Sequence, residues 1–177
     1  MARPAQPLRL VQKNKSFQPH LLIVPVGSTI EFPNEDPFFH NVFSLFNGKR
    51  FDLGLYEAGS TRRVTFDRPG ICYIFCNIHP EMSAVIIVMD TPYYGVSDAR
   101  GLIAIPGVPP GRYNAVVWQE RADPDALRGL SREVTITPGA YSLGTLRLRE
   151  APLLAHKNKY GADYDTSTPP NSIYVRP

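Results

Sequence analysis

Cys76, His79 and Met82 fall within one seven-residue stretch, Cys76-Asn77-Ile78-His79-Pro80-Glu81-Met82. A thiolate, an imidazole and a thioether at that spacing can converge on a single soft metal ion. Soft sulfur stabilises Cu(I), and imidazole suits both Cu(I) and Cu(II). A fourth donor has to come from elsewhere. His40, in Asn34-Glu35-Asp36-Pro37-Phe38-Phe39-His40-Asn41-Val42, is the good candidate among the four histidines. Two His and one Cys in a rough plane, with a weak axial Met, fit neither oxidation state of copper fully. The ion can then change charge with little ligand movement, and such a centre passes one electron at a time. A filled set of protein ligands leaves no open position for a substrate. The chain is therefore expected to carry electrons and not to be an enzyme.

A lone Cys-x-x-His is weak evidence for a metal, because Cys is often a buried apolar residue and a loop His is often only solvated. Cys-x-x-His-x-x-Met at the end of a strand, with His40-Asn41 upstream in a β-rich chain, is far more specific. His20 is expected to sit solvated in the turn Phe17-Gln18-Pro19-His20. His156 stands alone in the C-terminal segment and is not counted as a ligand. Cys72 and Cys76 are the two cysteines. On one strand their Cα atoms would be about 13 Å apart, too far for a disulfide.

Strands must hold these donors. Gly70-Ile71-Cys72-Tyr73-Ile74-Phe75 reads as the strand that delivers Cys76, with Cys72, Ile74 and Cys76 on one face by period-two alternation. His40 to Ser44 reads as the strand carrying the other ligand. Around Arg9-Leu10-Val11, 21–26, 29–32, 61–66 and 84–89 further strands are expected, while 51–56 reads as short and irregular. In 61–66, Thr61, Arg63 and Thr65 alternate with Arg62, Val64 and Phe66, the pattern of a half-buried strand. Asn47-Gly48 is a turn signal. Of Phe38 and Phe39, beside His40, one is expected to cover the metal site. Beyond Asp90, strands are expected at 102–105, 113–118, 132–136 and 143–148, with Asp123-Pro124 capping one helical turn. No cluster of His, Cys or paired carboxylates marks a site there.

Composition agrees with many short strands and turns: Pro makes up 18 of 177 residues and Gly 13, Pro being about twice its usual share. At 43% hydrophobic the chain can bury a core. Lys and Arg number nine against eight Asp and Glu in residues 1–90, and ten against eight in 91–177. Neither half has the basic excess of a nucleic-acid binder. No apolar run reaches membrane-spanning length, and Met1 to Pro7 lacks the apolar core of a signal peptide.

Residues 9–90 resemble the cupredoxins, the small blue-copper proteins of the plastocyanin and amicyanin type. The resemblance rests on Val26-Gly27-Ser28-Thr29-Ile30-Glu31-Phe32, on Asn34-x-Asp36 followed by His40-Asn41, and on Pro69-Gly70…Cys76-x-x-His79-x-x-Met82. It implies an all-β fold, a Greek-key β-barrel or sandwich, with one type 1 copper ion held by His40, Cys76, His79 and Met82. Asn41, Ile78 and Pro80 would surround these ligands. Asn41 would tie the two ligand segments together and point its backbone N–H at the Cys76 sulfur. His79 would be the exposed edge through which electrons leave to a redox protein, a cytochrome or an oxidoreductase. A periplasmic or otherwise extracytoplasmic location is implied as well.

Residues 97–149 resemble a carboxypeptidase-regulatory or transthyretin-like β-sandwich, on Asp98-x-x-Gly101-Leu102…Val108-Pro109-Pro110-Gly111-x-Tyr113 and Trp118. The expected organisation is a copper domain at 1–90, a small β module at 91–150 and an extended tail rich in Pro and Tyr at 151–177. Tyr160, Tyr164 and Tyr174 of that tail are candidates for wrapping the body or docking on a partner. Module and tail together are candidates for anchoring the chain in a larger redox complex.

Two other copper chemistries compete. A dinuclear centre would use both Cys72 and Cys76, but Tyr73-Ile74-Phe75 reads as strand and the loop is one residue short. A copper carrier or storage protein would leave its metal exposed and exchangeable. A copper oxidase or nitrite reductase needs further histidines for a second centre, and two of the four are already used. Where amicyanin-like loops tend to have Pro between Cys and His, this chain has Ile78, which keeps a backbone N–H for the Cys76 sulfur. Such a bond withdraws density from the thiolate and favours Cu(I). Ile78→Pro is thus expected to lower the reduction potential; an unchanged or higher value in voltammetry would count against that bond.

Overall fold

The computed structural model of the chain describes residues 7–45, 49–139, 141–152 and 156–164. Two compact units emerge, Met1–Pro92 together with Ala155–Pro177, and Tyr93–Leu154. The Asn47-Gly48 turn and Tyr174 lie outside the described residues. No helix among the described residues is long and apolar enough to cross a membrane.

The first unit is all-β. Its strands are β1 (Leu8–Arg9), β2 (Val11–Lys13), β3 (Ser16–Gln18), β4 (Leu21–Pro25), β5 (Ser28–Pro33), β6 (His40–Ser44), β7 (Phe51–Tyr56), β8 (Thr61–Phe66), β9 (Gly70–Phe75) and β10 (Ser83–Met89). A five-stranded sheet runs β4-β10-β9-β6-β7 and a three-stranded sheet runs β1-β5-β8. β4 lies parallel to β10 and β1 parallel to β5, and the other pairs are antiparallel. β2 and β3 form a separate hairpin. Sequence reasoning took this hairpin for a single strand and a turn. Its tip, Asn14 and Lys15, has two successive non-glycine residues at φ 55° and 52°, a conformation that no apolar pattern announces.

The core follows from alternation. Val64 and Phe66 of β8, Cys72 and Ile74 of β9, Ile30 and Phe32 of β5, and Ala84, Ile86 and Val88 of β10 are buried in one cluster with Leu10, Val24, Val42 and Tyr56. Large apolar side chains of this kind contribute about 1.5–3 kcal/mol each on burial. Tyr56 is fully buried and its hydroxyl donates to Phe32 O at 3.0 Å, while the Gln12 amide donates to that hydroxyl. This one phenol links β2, β5 and β7. At the surface Arg63 pairs with Glu31, its register partner on β5.

Two features bring the ligand segments together. β6 meets β9 through Phe43↔Phe75. Moving forward along β9 and backward along β6 from that pair leads to Cys76 and His40 at the same end of the sheet. A register shift between Asn41 and Phe43 breaks the β6–β7 ladder beside His40, the kind of irregularity that re-aims a side chain.

Among the described residues the second unit holds one antiparallel pair, β11 (Gly111–Ala115) and β12 (Arg132–Ile136), with helix α1 (Pro124–Leu130) between them. Asp123 caps α1 as expected, accepting from the N–H groups of Asp125 and Ala126. The expected strands at 102–105 and 143–148 do not form, and β11 ends at Ala115 rather than running to Trp118. Leu102, Ile103 and Ile105 are 62%, 47% and 42% exposed. Their apolar run stays largely exposed, and a strand without a buried face gains little.

Candidate metal centre

Cys76 follows directly on β9, and the turn it opens returns to β10. Cys76 N–H donates to Met82 O at 3.2 Å, and Met82 N–H donates to His79 O at 3.0 Å. These bonds close the loop and turn Cys76, His79 and Met82 into the protein. His40 enters from the first position of β6. Cys76, Met82 and His40 are fully buried and His79 is 7% exposed. The donor atoms of His40, Cys76 and His79 all lie within 4.8 Å of one another. Cys76 Sγ is 3.8 Å from His40 Nδ1 and 3.6 Å from His79 Nδ1.

Those separations are what a bound ion requires. A first-row ion about 2.0 Å from nitrogen and about 2.3 Å from sulfur separates the two donors by about 3.5–3.7 Å at an angle of about 110–120°, close to both observed separations. Sulfur and imidazole are a copper or zinc donor set, and a buried thioether on the same loop points to copper.

Local electrostatics prepare the donors. Burial pushes the His40 imidazolium down, with the Asp36 bond acting the other way. Burial, helped by the neighbouring His40, takes His79 down to about 4. Both rings are neutral at neutral pH, with a lone pair to offer. Burial pushes the Cys76 thiol up, against the backbone N–H groups of Asn41, Ile78 and His79 that are directed at its sulfur. A metal ion has to displace this proton, and the three N–H groups then stabilise the bound thiolate.

Asp36 completes the His40 side. Its Oδ2 lies 2.8 Å from His40 Nε2, and its two oxygens accept the N–H groups of Asn14 at 2.7 Å and Lys15 at 3.0 Å. Burial alone would raise this carboxyl, but the bonds from His40, Lys15 and Asn14 outweigh it and hold it below the ordinary range. The left-handed hairpin tip thus aims two amides at one buried carboxylate. Sequence reasoning quoted Asp36 but gave it no role; an acid four residues before a ligand His is the only local signal.

The other expected residues differ in detail. Phe38 covers the site, its ring centroid 5.1 Å from that of His40 and 5.7 Å from that of His79, and Phe39 is 41% exposed. His79 was expected to be an exposed edge; with Phe38 against it, it is buried instead. The Asn41 side chain reaches Asp52 Oδ1 and Gly54 O on β7, so only its backbone N–H joins the two ligand segments. Pro80 is exposed. His20 is exposed, its Nδ1 3.2 Å from Ser83 O, away from the cluster. Cys72 is a free thiol in the core beside the Lys49 backbone and is not among the clustered donors, which a dinuclear centre would need.

Wrapping of the body was one of the expected roles of the C-terminal segment, with Tyr164 among its candidates, but its contacts with the ligand loop were not anticipated. His156, read as isolated, stacks on Phe75 with centroids 4.2 Å apart. Tyr164 donates its hydroxyl to Cys76 O at 2.6 Å and lies 3.2 Å from His156 Nδ1. Lys159 N–H donates to Asn77 Oδ1, and its ammonium donates to Asp52. Residues 156–164 therefore strap the back of the ligand loop, through contacts 82 to 107 residues apart in sequence.

The fold and site together define an all-β protein with a buried His-Cys-His centre suited to copper. No family model matches the chain, and no curated protein matches it. Among solved structures it is similar to a copper-containing nitrite reductase from Thermus scotoductus, 31% identical, over 51% of this chain and 24% of that one, at a TM-score of 0.47. It is also similar to a methionine-to-alanine mutant of amicyanin with Cu(I), 19% identical over 47% and 82% of the two chains, TM-score 0.45. A purple cupredoxin from Nitrosopumilus maritimus is 23% identical over 46% and 99%, TM-score 0.42. The chain spans about a quarter of the reductase. The expectation of a non-enzyme is corrected by this finding, since one of the similar proteins is an enzyme. The earlier ground for excluding catalysis does not hold, because a copper site without a substrate position can feed electrons to a reaction elsewhere.

Two outcomes follow for the metal-free protein. An unfolded His titrates near about 6.5, above the folded value of about 4 at His79. As pH falls through that window the unfolded chain binds the proton first, so stability drops, by up to about 1.4 kcal/mol per pH unit for this group. Urea denaturation of His79→Gln across the window is expected to show a shallower decline; an identical decline contradicts the depressed value. Tyr164→Phe removes the bond to Cys76 O and is expected to cost about 0.5–1.5 kcal/mol in the same assay, with no cost if the strap is loose in solution.

Proposed function

We propose that the chain would hold one copper ion through His40, Cys76 and His79, with Met82 as a weak further ligand, and that it transfers single electrons. The observation that carries this reading is the buried triangle of Cys76 Sγ with two imidazole Nδ1 atoms, 3.8 and 3.6 Å away. When bound there, copper supplies the Cu(II)/Cu(I) couple. The protein's part is to keep the donors nearly fixed in both states. The two closing bonds of the ligand loop, the β6–β9 register and the strap from Tyr164 resist movement. Phe38 keeps water from the two imidazoles.

Single-electron transfer of this kind serves a mobile carrier and the electron-entry part of a copper enzyme alike. A redox protein, a cytochrome or an oxidoreductase, would dock near His79. The resemblance to cupredoxins favours an extracytoplasmic setting. A carrier that hands over copper itself is disfavoured by the burial of all four donors, since exchange needs an accessible ion.

Copper titration with visible absorption and electron paramagnetic resonance tests this. One copper per chain with a strong thiolate band, lost in Cys76→Ser and kept in Cys72→Ser, is the expected result. Two coupled coppers, lost in either variant, would make the centre dinuclear. Colourless copper that a chelator removes at once would make the protein a carrier.

A further inference from the structure

Resting on the copper reading above, we propose that Asp36 is a positioning residue that sets the redox balance of the centre. It fixes the His40 tautomer and places a negative charge behind that ligand. The carboxylate is 5% exposed and its Oδ2 is 2.8 Å from His40 Nε2. A carboxylate can only accept there, so Nε2 carries the ring proton. Nδ1 is left with its lone pair, facing Cys76 Sγ at 3.8 Å. No carboxylate is hydrogen-bonded to His79 among the described residues, so the two imidazoles are not equivalent.

The carboxylate has little freedom to leave. Asn14 N–H holds Oδ1 and Lys15 N–H holds Oδ2, and both donors come from the strained tip at φ 55° and 52°. Asp36 N–H is in turn bonded to Asn34 Oδ1. Such an outer partner orients a ligating His and raises its basicity. The charge arithmetic gives the direction. A thiolate with Cu(II) sums to +1, and with Cu(I) to zero. A fixed negative charge beside the site favours the first state and lowers the reduction potential. The N–H groups directed at Cys76 Sγ favour the second, so Asp36 acts as their counterweight.

Asp36→Asn removes the charge and leaves an amide oxygen that can still accept from His40 Nε2–H. The thiolate band should persist, and Cu(II) affinity should fall about 10–100-fold. The reduction potential should rise; each tenfold change in the Cu(II) to Cu(I) affinity ratio is about 59 mV for one electron. Thr29→Val is the control. It removes the hydroxyl contact between Thr29 and Thr65 on β5 and β8 without touching the hairpin or the carboxylate, so the wild-type potential should be kept. An unchanged or lower potential in Asp36→Asn, or an equal rise in Thr29→Val, overturns the proposal. A readout independent of folding of the variant, and of copper, is the imidazole nitrogen spectrum of the metal-free wild type. A proton on His40 Nε2 is expected, and a proton on Nδ1 overturns the assignment. Wild-type protein that binds no copper through a thiolate would sink the copper reading instead, and leave the tautomer result standing.

Discussion

Cys76 Sγ has to lie between two imidazole nitrogens, one of them 36 residues upstream, in a place that water barely reaches. This constraint organises the first unit. A buried sulfur that must carry negative charge needs compensation at short range, and the protein supplies it from three backbone N–H groups on two segments. Those segments are adjacent only because β6 and β9 are neighbours in one sheet. Their strands stay adjacent because alternating apolar residues bury the sheet face against β5 and β8. Core, register and donor geometry are successive consequences of one requirement.

Opposed charges meet around this sulfur. Amides on the sulfur side and a carboxylate on the His40 side would act in opposite directions on a copper ion held there. The carboxylate in turn depends on a hairpin whose tip adopts a conformation costly for Asn and Lys. The hairpin tip is thereby connected, through Asp36, to the His40 ring. On the other side, Asp52 binds Asn41 and Lys159 at once, so the residue next to His40 and the C-terminal segment share one anchor.

Much of this was legible in the chain. The residue types and their spacing singled out His40, Cys76 and His79, which the fold brings together. Period-two alternation gave β8 and β9 and their buried faces. What stayed hidden was non-local or backbone-made. Tyr164 lies 88 residues from Cys76, and nothing in the local pattern at either end records the bond. The β2–β3 hairpin turns on φ angles that Asn and Lys rarely adopt. The burial of His79 depends on how Phe38 folds back over it. In the second unit, apolar runs such as Leu102-Ile103-Ala104-Ile105 imitate strands but stay exposed.

The strap also has a consequence for biogenesis. A ribosome releases the chain from the N-terminus onward, so the ligand loop emerges long before Tyr164. Through the synthesis of the whole second unit, the carbonyl of Cys76 is without its phenol partner and the loop is the looser for it. The loop gains this bond only after the second unit has been made, so a metal ion arriving before then would meet a more yielding site than one arriving afterwards.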